Sequence, residues 1–197
     1  MNRRKALKQA GFLAGATVCM PSFLTLLQSC KNETRLDWQP EFFQEKEAKT
    51  ISTLVEMILP RTDTPGALDV KVDMFIDKVV AQTYDKESQE AIRNQIAVFN
   101  AECHTTYGND FSNLDETEKV EVLKTEEANS GKFNPGVWGT TVGEQEPVGF
   151  YRGLKAMAIW AYFTSEEIGE EILSYDPIPG GFEPCKPISE VGNRWSL

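Results

Sequence analysis

The 197-residue chain contains one histidine, His104. Zinc and non-haem iron sites draw on several His or Cys ligands, so this scarcity argues against a metal centre held by the protein. The Cys-x-x-Cys-His motif is also missing, which excludes c-type haem attached through that motif. We therefore expect no metal in this chain and interpret His104 as a structural or surface residue.

Motifs that bind nucleotides or build a nucleophile are missing as well. No Gly-x-Gly-x-x-Gly follows a strand pattern, and no Gly-x-x-x-x-Gly-Lys-Ser/Thr is present. The Gly-x-Ser-x-Gly of serine hydrolases does not occur. Carboxylates are plentiful, but charge runs in an acidic protein are typical of a solvated face. The sequence thus predicts no catalytic residue and no cofactor-binding residue.

Basic residues are scarce beyond the start of the chain. The chain has 20 basic and 30 acidic residues, and Arg3, Arg4, Lys5 and Lys8 supply all the positive charge of the first 29 positions. Without these four, 16 basic residues face 30 acidic ones, a net charge of −14. So negative a surface repels phosphate backbones, which argues against nucleic acid as a partner.

The first 29 residues have the pattern of an export signal. Residues 2–8 carry Arg-Arg-x-x-Leu-Lys with Arg3 and Arg4 as the pair, and residues 10–27 are moderately apolar. That stretch is weak for a transmembrane helix, which needs about 20 strongly apolar residues. We interpret residues 1–29 as a twin-arginine signal peptide; an uncleaved membrane anchor is the alternative. This route carries folded proteins, so the domain either folds quickly or travels with a folded, cofactor-loaded partner.

The apolar stretch ends at Leu27-Gln28-Ser29-Cys30, which resembles a lipobox. We expect Cys30 to carry lipid, because several acyl chains on one cysteine give stable membrane attachment. Residues 30–40 then form a lipid-anchored polar tether, and residues 41–197 form the domain. The expected location is the periplasm, as a membrane-anchored lipoprotein.

Two cysteines remain for the exported domain, Cys103 and Cys185. Disulfides persist in an oxidising compartment, so a bridge between them is expected. Two buried free thiols are the alternative, since spacing alone does not establish a pairing.

Apolar residues recur at helical spacing in the first third of the domain. One helix ends at Pro60, a type II turn with Gly66 in its third position follows at residues 64–67, and a second helix begins near Val72. Pro40 is compatible with the first turn of a helix. The predicted inward residues are Ile51, Leu54, Val55, Ile58, Leu59, Val72, Phe75, Ile76, Val79 and Val80.

A third helix is predicted over residues 86–107, with Gly108 as its stop. Asp115 and Glu118 form a capping-box pattern before a charged helix that turns Val120 and Leu123 inward.

The rest of the chain is irregular around one broad apolar helix. Residues 130–146 read as a long Gly-rich loop, and residues 147–162 as a helix. Thr164 and Glu167 have capping-box spacing for a short further helix, and the Pro- and Gly-rich tail after Tyr175 reads as extended coil. The predicted class is all-α, a single compact domain of about five to six helices.

Aromatic residues concentrate in the last third of the chain. They either pack in the core or form a contact surface, because interface cores favour Trp, Tyr and Phe. The residues in question are Trp138, Phe150, Tyr151, Trp160, Tyr162 and Phe163.

Two parts of the sequence resemble the gluconate 2-dehydrogenase subunit 3 family. The first comprises residues 58–67, Ile-Leu-Pro-Arg-Thr-Asp-Thr-Pro-Gly-Ala, and residues 72–77. The second comprises residues 162–169 and 173–180. These segments, together with the helix from Phe150, follow one another in the order that the family shows. The resemblance spans residues 42–187.

The resemblance implies a small, mostly helical, twin-arginine-exported subunit. Members accompany a large FAD-dependent dehydrogenase of the glucose-methanol-choline type, which oxidises a sugar or sugar acid. A cytochrome c subunit often receives the electrons, and the small subunit helps the large one to mature and cross the membrane. FAD is thus expected in the partner, and no family catalytic residue maps onto this chain.

Two hypotheses follow: an accessory subunit of a flavin dehydrogenase, or a free-standing lipoprotein that binds another periplasmic partner or ligand. For the first, we expect the partner surface at rigid turns and exposed aromatics, which lose little entropy on docking. The predicted interface residues are Asp63, Pro65, Gly66, Trp138, Pro179 and Phe182.

Overall fold

Helical periodicity in the sequence corresponds to helices in the structure, and the all-α prediction is confirmed. The structure, a computed structural model, describes residues 36–131, 136–137, 140–141, 147–176, 178, 180–181 and 185–196. The predicted signal peptide, Arg3, Arg4 and Cys30 lie outside these residues. Residues from Leu36 onward cluster into one unit.

Six α-helices follow one another in the described chain: α1 Glu45–Ile58, α2 Val72–Thr83, α3 Lys86–Tyr107, α4 Glu116–Asn129, α5 Phe150–Phe163 and α6 Ile188–Val191. A 3-10 turn lies at Phe111–Asn113 and a π-helix at Ile168–Ile172. Two short antiparallel strands, β1 Gly136–Val137 and β2 Thr140–Thr141, pair within the predicted loop.

Helix α1 lies at the centre of the domain, where it packs against α2, α3, α5 and the 3-10 turn. Helix α5 also packs along α2. Burying each large aliphatic or aromatic side chain contributes about 1.5–3 kcal/mol, so this core is the main source of stability. Its buried residues include Ile51, Leu54, Val55, Ile76, Val80, Ile96, Phe99, Phe111, Leu154 and Ala158.

Several helix ends agree with the sequence. Helix α3 has the predicted bounds, and Gly108 ends it in the left-handed conformation with φ 80°. The capping box before α4 is confirmed: the Asp115 carboxylate accepts the Glu118 N–H at 2.8 Å, and the Glu118 carboxylate accepts the Asp115 N–H at 3.0 Å. Helix α1 ends at Ile58, ahead of Pro60.

Other local predictions were wrong. Helix α1 starts at Glu45, well after Pro40. The short helix predicted after Thr164 is present and ends as the π-helix, but Thr164 does not cap it: it is the C-cap of α5, and its hydroxyl donates to the Trp160 carbonyl at 2.9 Å. Phe75 and Val120 are 38% and 41% exposed rather than inward. For Phe75 and Val120 the local pattern is correct for a helix, but neighbouring elements decide which face is covered.

The tail is not extended throughout. Helix α6 interrupts it, and Ser174 pairs with the chain near Trp195. The Ser174 N–H donates to the Arg194 carbonyl at 2.9 Å, and the Ser196 N–H donates to the Ser174 carbonyl at 3.1 Å. The end of the chain therefore returns to the π-helix region.

The structure does not contain the predicted Cys103–Cys185 disulfide, because both cysteines are free thiols. Cys103 is buried between α3 and α4, whereas Cys185 is exposed in the tail. Burial raises the pKa of the Cys103 thiol to about 11. The thiolate is the reactive form, so this rise in pKa lowers the reactivity of Cys103.

Two buried carboxylates of α2 bind the segment that precedes α1. Asp77, 1% exposed, accepts the backbone N–H groups of Glu41, Phe42 and Phe43 at 2.6, 3.1 and 2.9 Å. Asp73, 5% exposed, accepts the indole N–H of Trp38 at 3.1 Å. The folded domain thus begins before residue 41, where the sequence placed its boundary.

Arg93 of α3 also binds this N-terminal segment (residues 36–43). The Arg93 guanidinium donates to the Phe42 carbonyl at 2.6 Å and lies 4.3 Å from the centre of the Phe42 ring. The Ser52 hydroxyl donates to Asp73 at 2.6 Å. The segment is thereby joined directly to α2 and α3, and to α1 through the Asp73 carboxylate, which accepts from both Trp38 and Ser52.

Candidate partner-binding surface

An ion pair spans the turn that follows α1. The Arg61 guanidinium contacts the Asp69 carboxylate through two nitrogens, with Nε at 2.7 Å from Oδ2. Asp69 also accepts the Gly66 N–H at 2.7 Å. These hydrogen bonds, that of Arg61 foremost, hold the pKa of Asp69 below its ordinary value. Asp69, near the end of the turn, is therefore hydrogen-bonded both to its start at Arg61 and to its middle at Gly66.

Gly66 is needed for close approach rather than for an unusual dihedral angle. The type II turn was predicted wrongly, because that turn requires a positive φ at Gly66 and the structure has none there. Instead, a Cβ at this position would lie 2.6 Å from the backbone nitrogen of Arg61. The next residue, Ala67, is fully buried, and its N–H donates to the Leu59 carbonyl at 2.8 Å.

A hydrogen bond attaches this turn, residues 59–71, to the end of α5, and we call these residues the docked turn. The Tyr162 hydroxyl, at the end of α5, donates to the Pro65 carbonyl at 2.7 Å across 97 positions. Tyr162 is only 8% exposed. The two sequence segments that carry the family resemblance are therefore in direct contact.

Removing this bond tests how firmly the turn is docked. Tyr162→Phe keeps the ring but leaves the Pro65 carbonyl without its donor, so we expect about 1 kcal/mol of destabilisation. Urea unfolding of residues 30–197 measures it. Tyr175→Phe, in a ring that is 41% exposed, is the control and should change stability by less than about 0.5 kcal/mol. Equal stability of the two variants would contradict the docking described here.

An open acidic cavity of about 410 Å³ lies beside the docked turn. The turn and the start of α2 line one side, and the π-helix with the residues before it line the other. Five carboxylates and one lysine are among the lining residues: Asp69, Val70, Lys71, Ser165, Glu166, Glu167, Glu170 and Glu171.

Two exposed aromatic rings lie on the helices that lead to the residues lining this cavity. Phe75 lies one turn into α2 from Lys71, and Trp160 lies in the last turn of α5, just before the residues that line the cavity. Their ring centres are 5.5 Å apart with the planes tilted by 53°. Trp160 is 55% exposed. The pair is an exposed apolar feature about one helical turn from residues that line the acidic cavity.

The sequence profile described as gluconate 2-dehydrogenase subunit 3 matches residues 45–180. The chain belongs to the gluconate 2-dehydrogenase subunit 3 family. The match begins at the first residue of α1 and extends past the π-helix, so it includes the docked turn, the acidic cavity and the aromatic pair. No curated protein and no solved structure matches the chain significantly.

The interface residues predicted for this family member have different outcomes. Asp63 is exposed on the turn, Pro65 is half-buried and Gly66 is buried. Trp138, Pro179 and Phe182 lie outside the described residues. Sequence reasoning missed Phe75, whose helical spacing matched the core. The exposure of Trp160 could have been predicted, because helical spacing places it outside the apolar face. That face is formed by Phe150, Leu154, Met157, Ala158 and Ala161.

A second cavity of about 370 Å³ lies between α3 and α4 of this gluconate 2-dehydrogenase subunit 3 domain. Its wall includes Cys103, Glu102 and Glu126, and burial, followed by the charge of Glu102, raises the pKa of Glu126. Across the described residues, no three His, Cys, Asp or Glu side chains are grouped as metal ligands. None of the described helices has the length and apolar character needed to cross a membrane.

Proposed function

We propose that this chain is the small accessory subunit of an exported FAD-dependent dehydrogenase of the glucose-methanol-choline type. The observation that carries the proposal is the family match over residues 45–180, which takes in the whole helical core except the N-terminal segment and the tail. FAD and the sugar or sugar-acid substrate belong to the large subunit, and a cytochrome c subunit is the proposed electron acceptor.

The role of this chain in the complex is to support maturation and export of the large subunit. Twin-arginine export carries folded cargo, so one signal peptide can serve two polypeptides that associate before translocation. A permanent interface of that kind buries upwards of about 2,000 Å². Lipid on Cys30 would then keep the assembled complex at the membrane.

Export depends on the arginine pair at the start of the chain. Changing Arg3 and Arg4 together to lysine should leave this protein and the large subunit in the cytoplasm, because the twin-arginine pattern is lost while the charge is kept. Fractionation with antibodies to both polypeptides measures this. Changing Lys5, a variable position of the pattern, to arginine is the control and should permit export. Normal export of the Arg3/Arg4 variant would show that another route is used.

Membrane attachment depends on Cys30. In a Cys30→Ala variant the protein should move from the membrane fraction to the soluble fraction, because the acylated thiol is removed. Mass spectrometry of the wild-type N-terminus should show a lipid-modified Cys30. A Cys19→Ala variant serves as the control and should stay membrane-bound. An unmodified Cys30 in the mature protein would refute the anchor.

Deletion of this chain in its native host tests the accessory role. We expect the large flavoprotein to be lost from the periplasm, and dye-linked oxidation of gluconate and related sugars in that fraction to fall to background. Re-expression of the chain should restore both. If the flavoprotein is exported and active without the chain, the accessory role is wrong, and a free-standing lipoprotein becomes the better account.

A further inference from the structure

Phe75, Trp160, Glu166, Glu167, Glu170 and Glu171 form what we call the aromatic-acidic face. The aromatic pair is apolar and exposed, with Phe75 at 38% and Trp160 at 55%. Large exposed aromatics at a rigid site are typical of binding hot spots, where Trp and Tyr dominate the energy. Trp160 needs no rearrangement to become the centre of such a site.

The acidic border of this face is largely uncompensated. Asp69 is already paired with Arg61, whose charge also acts on Glu167, and Lys71 is the one cation among the described residues that line the cavity. Among the ion pairs of the described residues, none involves Glu166, Glu167, Glu170 or Glu171. All four glutamates are exposed. Their charges are therefore available to a partner.

The π-helix contributes to the position of these charges. The Leu173 N–H donates to the Ile168 carbonyl at 2.9 Å, five residues back, and Ile168 is fully buried as the anchor of this turn. The wider turn presents both Glu170 and Glu171 to the cavity. Single π turns of this kind are frequent at functional sites.

We infer that the aromatic-acidic face docks onto the large dehydrogenase subunit, which presents an apolar socket for Trp160 bordered by arginine and lysine side chains. The inference rests on the proposed function and names its surface. A nucleic acid or an anionic membrane would place phosphates against four carboxylates, which repel them. A second copy across a two-fold axis would oppose the same carboxylates to each other.

Tagged variants expressed in the deletion strain test this surface. Trp160→Ala should lower the amount of large subunit recovered per tagged chain about tenfold, as expected for a hot spot. Changing Glu166, Glu167, Glu170 and Glu171 to glutamine should reduce recovery at about 0.05 M salt and make it less sensitive to about 0.5 M salt. Trp160→Phe should restore most of the binding, which separates docking from folding.

Matched controls lie on other helices. Val98→Ala removes an apolar side chain that is 58% exposed on α3. Glutamine at Glu56, Glu87, Glu90 and Glu102 removes the same charge from elsewhere on the surface. Both controls should retain recovery within about twofold, and all variants should melt within a few degrees of wild type.

The outcomes separate the inference from the proposed function. If wild type recovers the large subunit and both face variants recover it equally well, the docking face is wrong while the accessory role stands. The face is also wrong if the controls lose as much binding as the face variants, or if Trp160→Ala only dissociates a dimer of this chain. If wild type recovers no large subunit, the proposed function fails and the inference fails with it.

Discussion

Replacing Asp77 with alanine is expected to destabilise the domain by about 3–5 kcal/mol. The carboxylate is 1% exposed and accepts three consecutive backbone N–H groups. A hydrogen bond to a charged group contributes about 1.5–3 kcal/mol, and the Phe43 N–H, whose bond is buried, would also lose its acceptor. Alternatively, the N-terminal segment detaches so that water can accept these N–H hydrogen bonds. Phe43, which is 5% exposed, then leaves the core. Both outcomes lower the free energy of unfolding.

Urea unfolding of residues 30–197 measures this change. Asp77→Asn should be intermediate, because the amide keeps one oxygen that accepts hydrogen bonds. Asp63→Ala is the matched control: Asp63 is exposed on the turn, and its loss should cost less than about 0.5 kcal/mol. An Asp77→Ala protein as stable as the Asp63→Ala protein would contradict the role of Asp77 in holding the N-terminal segment.

Gly66→Ala is expected to cost about 2–3 kcal/mol, as overpacking against a fixed backbone does. The new Cβ would lie 2.6 Å from the Arg61 nitrogen and 3.1 Å from the Pro60 carbonyl carbon. Neither atom can move away without disturbing the hydrogen bonds of Asp69 to Arg61 and to Gly66. A shift of the turn should also weaken the Tyr162 hydrogen bond to Pro65. The docked turn would then lose both the hydrogen bonds of Asp69 and the bond from Tyr162.

Thermal and urea unfolding compare this variant with Gly153→Ala. A Cβ at Gly153, within α5, meets no atom within 4 Å. There, alanine should stabilise the helix by about 0.5–1 kcal/mol, because glycine loses more backbone entropy on folding. The two glycine-to-alanine changes should therefore have opposite signs. The same sign for both would show that the turn adapts more easily than its contacts indicate.

Local features of the fold were predictable from the sequence, because their causes are local. The bounds of α3 follow from apolar spacing together with Gly108, whose left-handed conformation ends the helix. The capping box of Asp115 and Glu118 forms within four residues. Such signals depend on no distant part of the chain, so a pattern suffices to find them.

Features set by distant contacts were not predictable. Asp73 and Asp77 look like solvated charges in the sequence, yet partners more than 30 positions away bury them. Helical spacing placed Phe75 on an inward face. Spacing does not show how far the neighbouring helices extend over that face, and Phe75 is 38% exposed. The disulfide prediction failed for a similar reason, since sequence separation carries no information on where Cys103 and Cys185 lie in space.

The candidate surface was predictable in part. The resemblance pointed to both of its segments, and Pro65 and Gly66 belong to the docked turn. The contact of Tyr162 with Pro65, and the exposure of Trp160 beside the acidic cavity, depend on how α5 packs along α2. No spacing rule along the chain encodes that packing.

Affinity purification of the tagged, full-length chain from its native host tests the central claim most directly. The account predicts that a large polypeptide co-purifies in a fixed ratio, shows flavin absorbance, and reduces a dye when its sugar or sugar-acid substrate is added. Recovery of the chain alone, with the flavoprotein exported and active in its absence, would contradict the account.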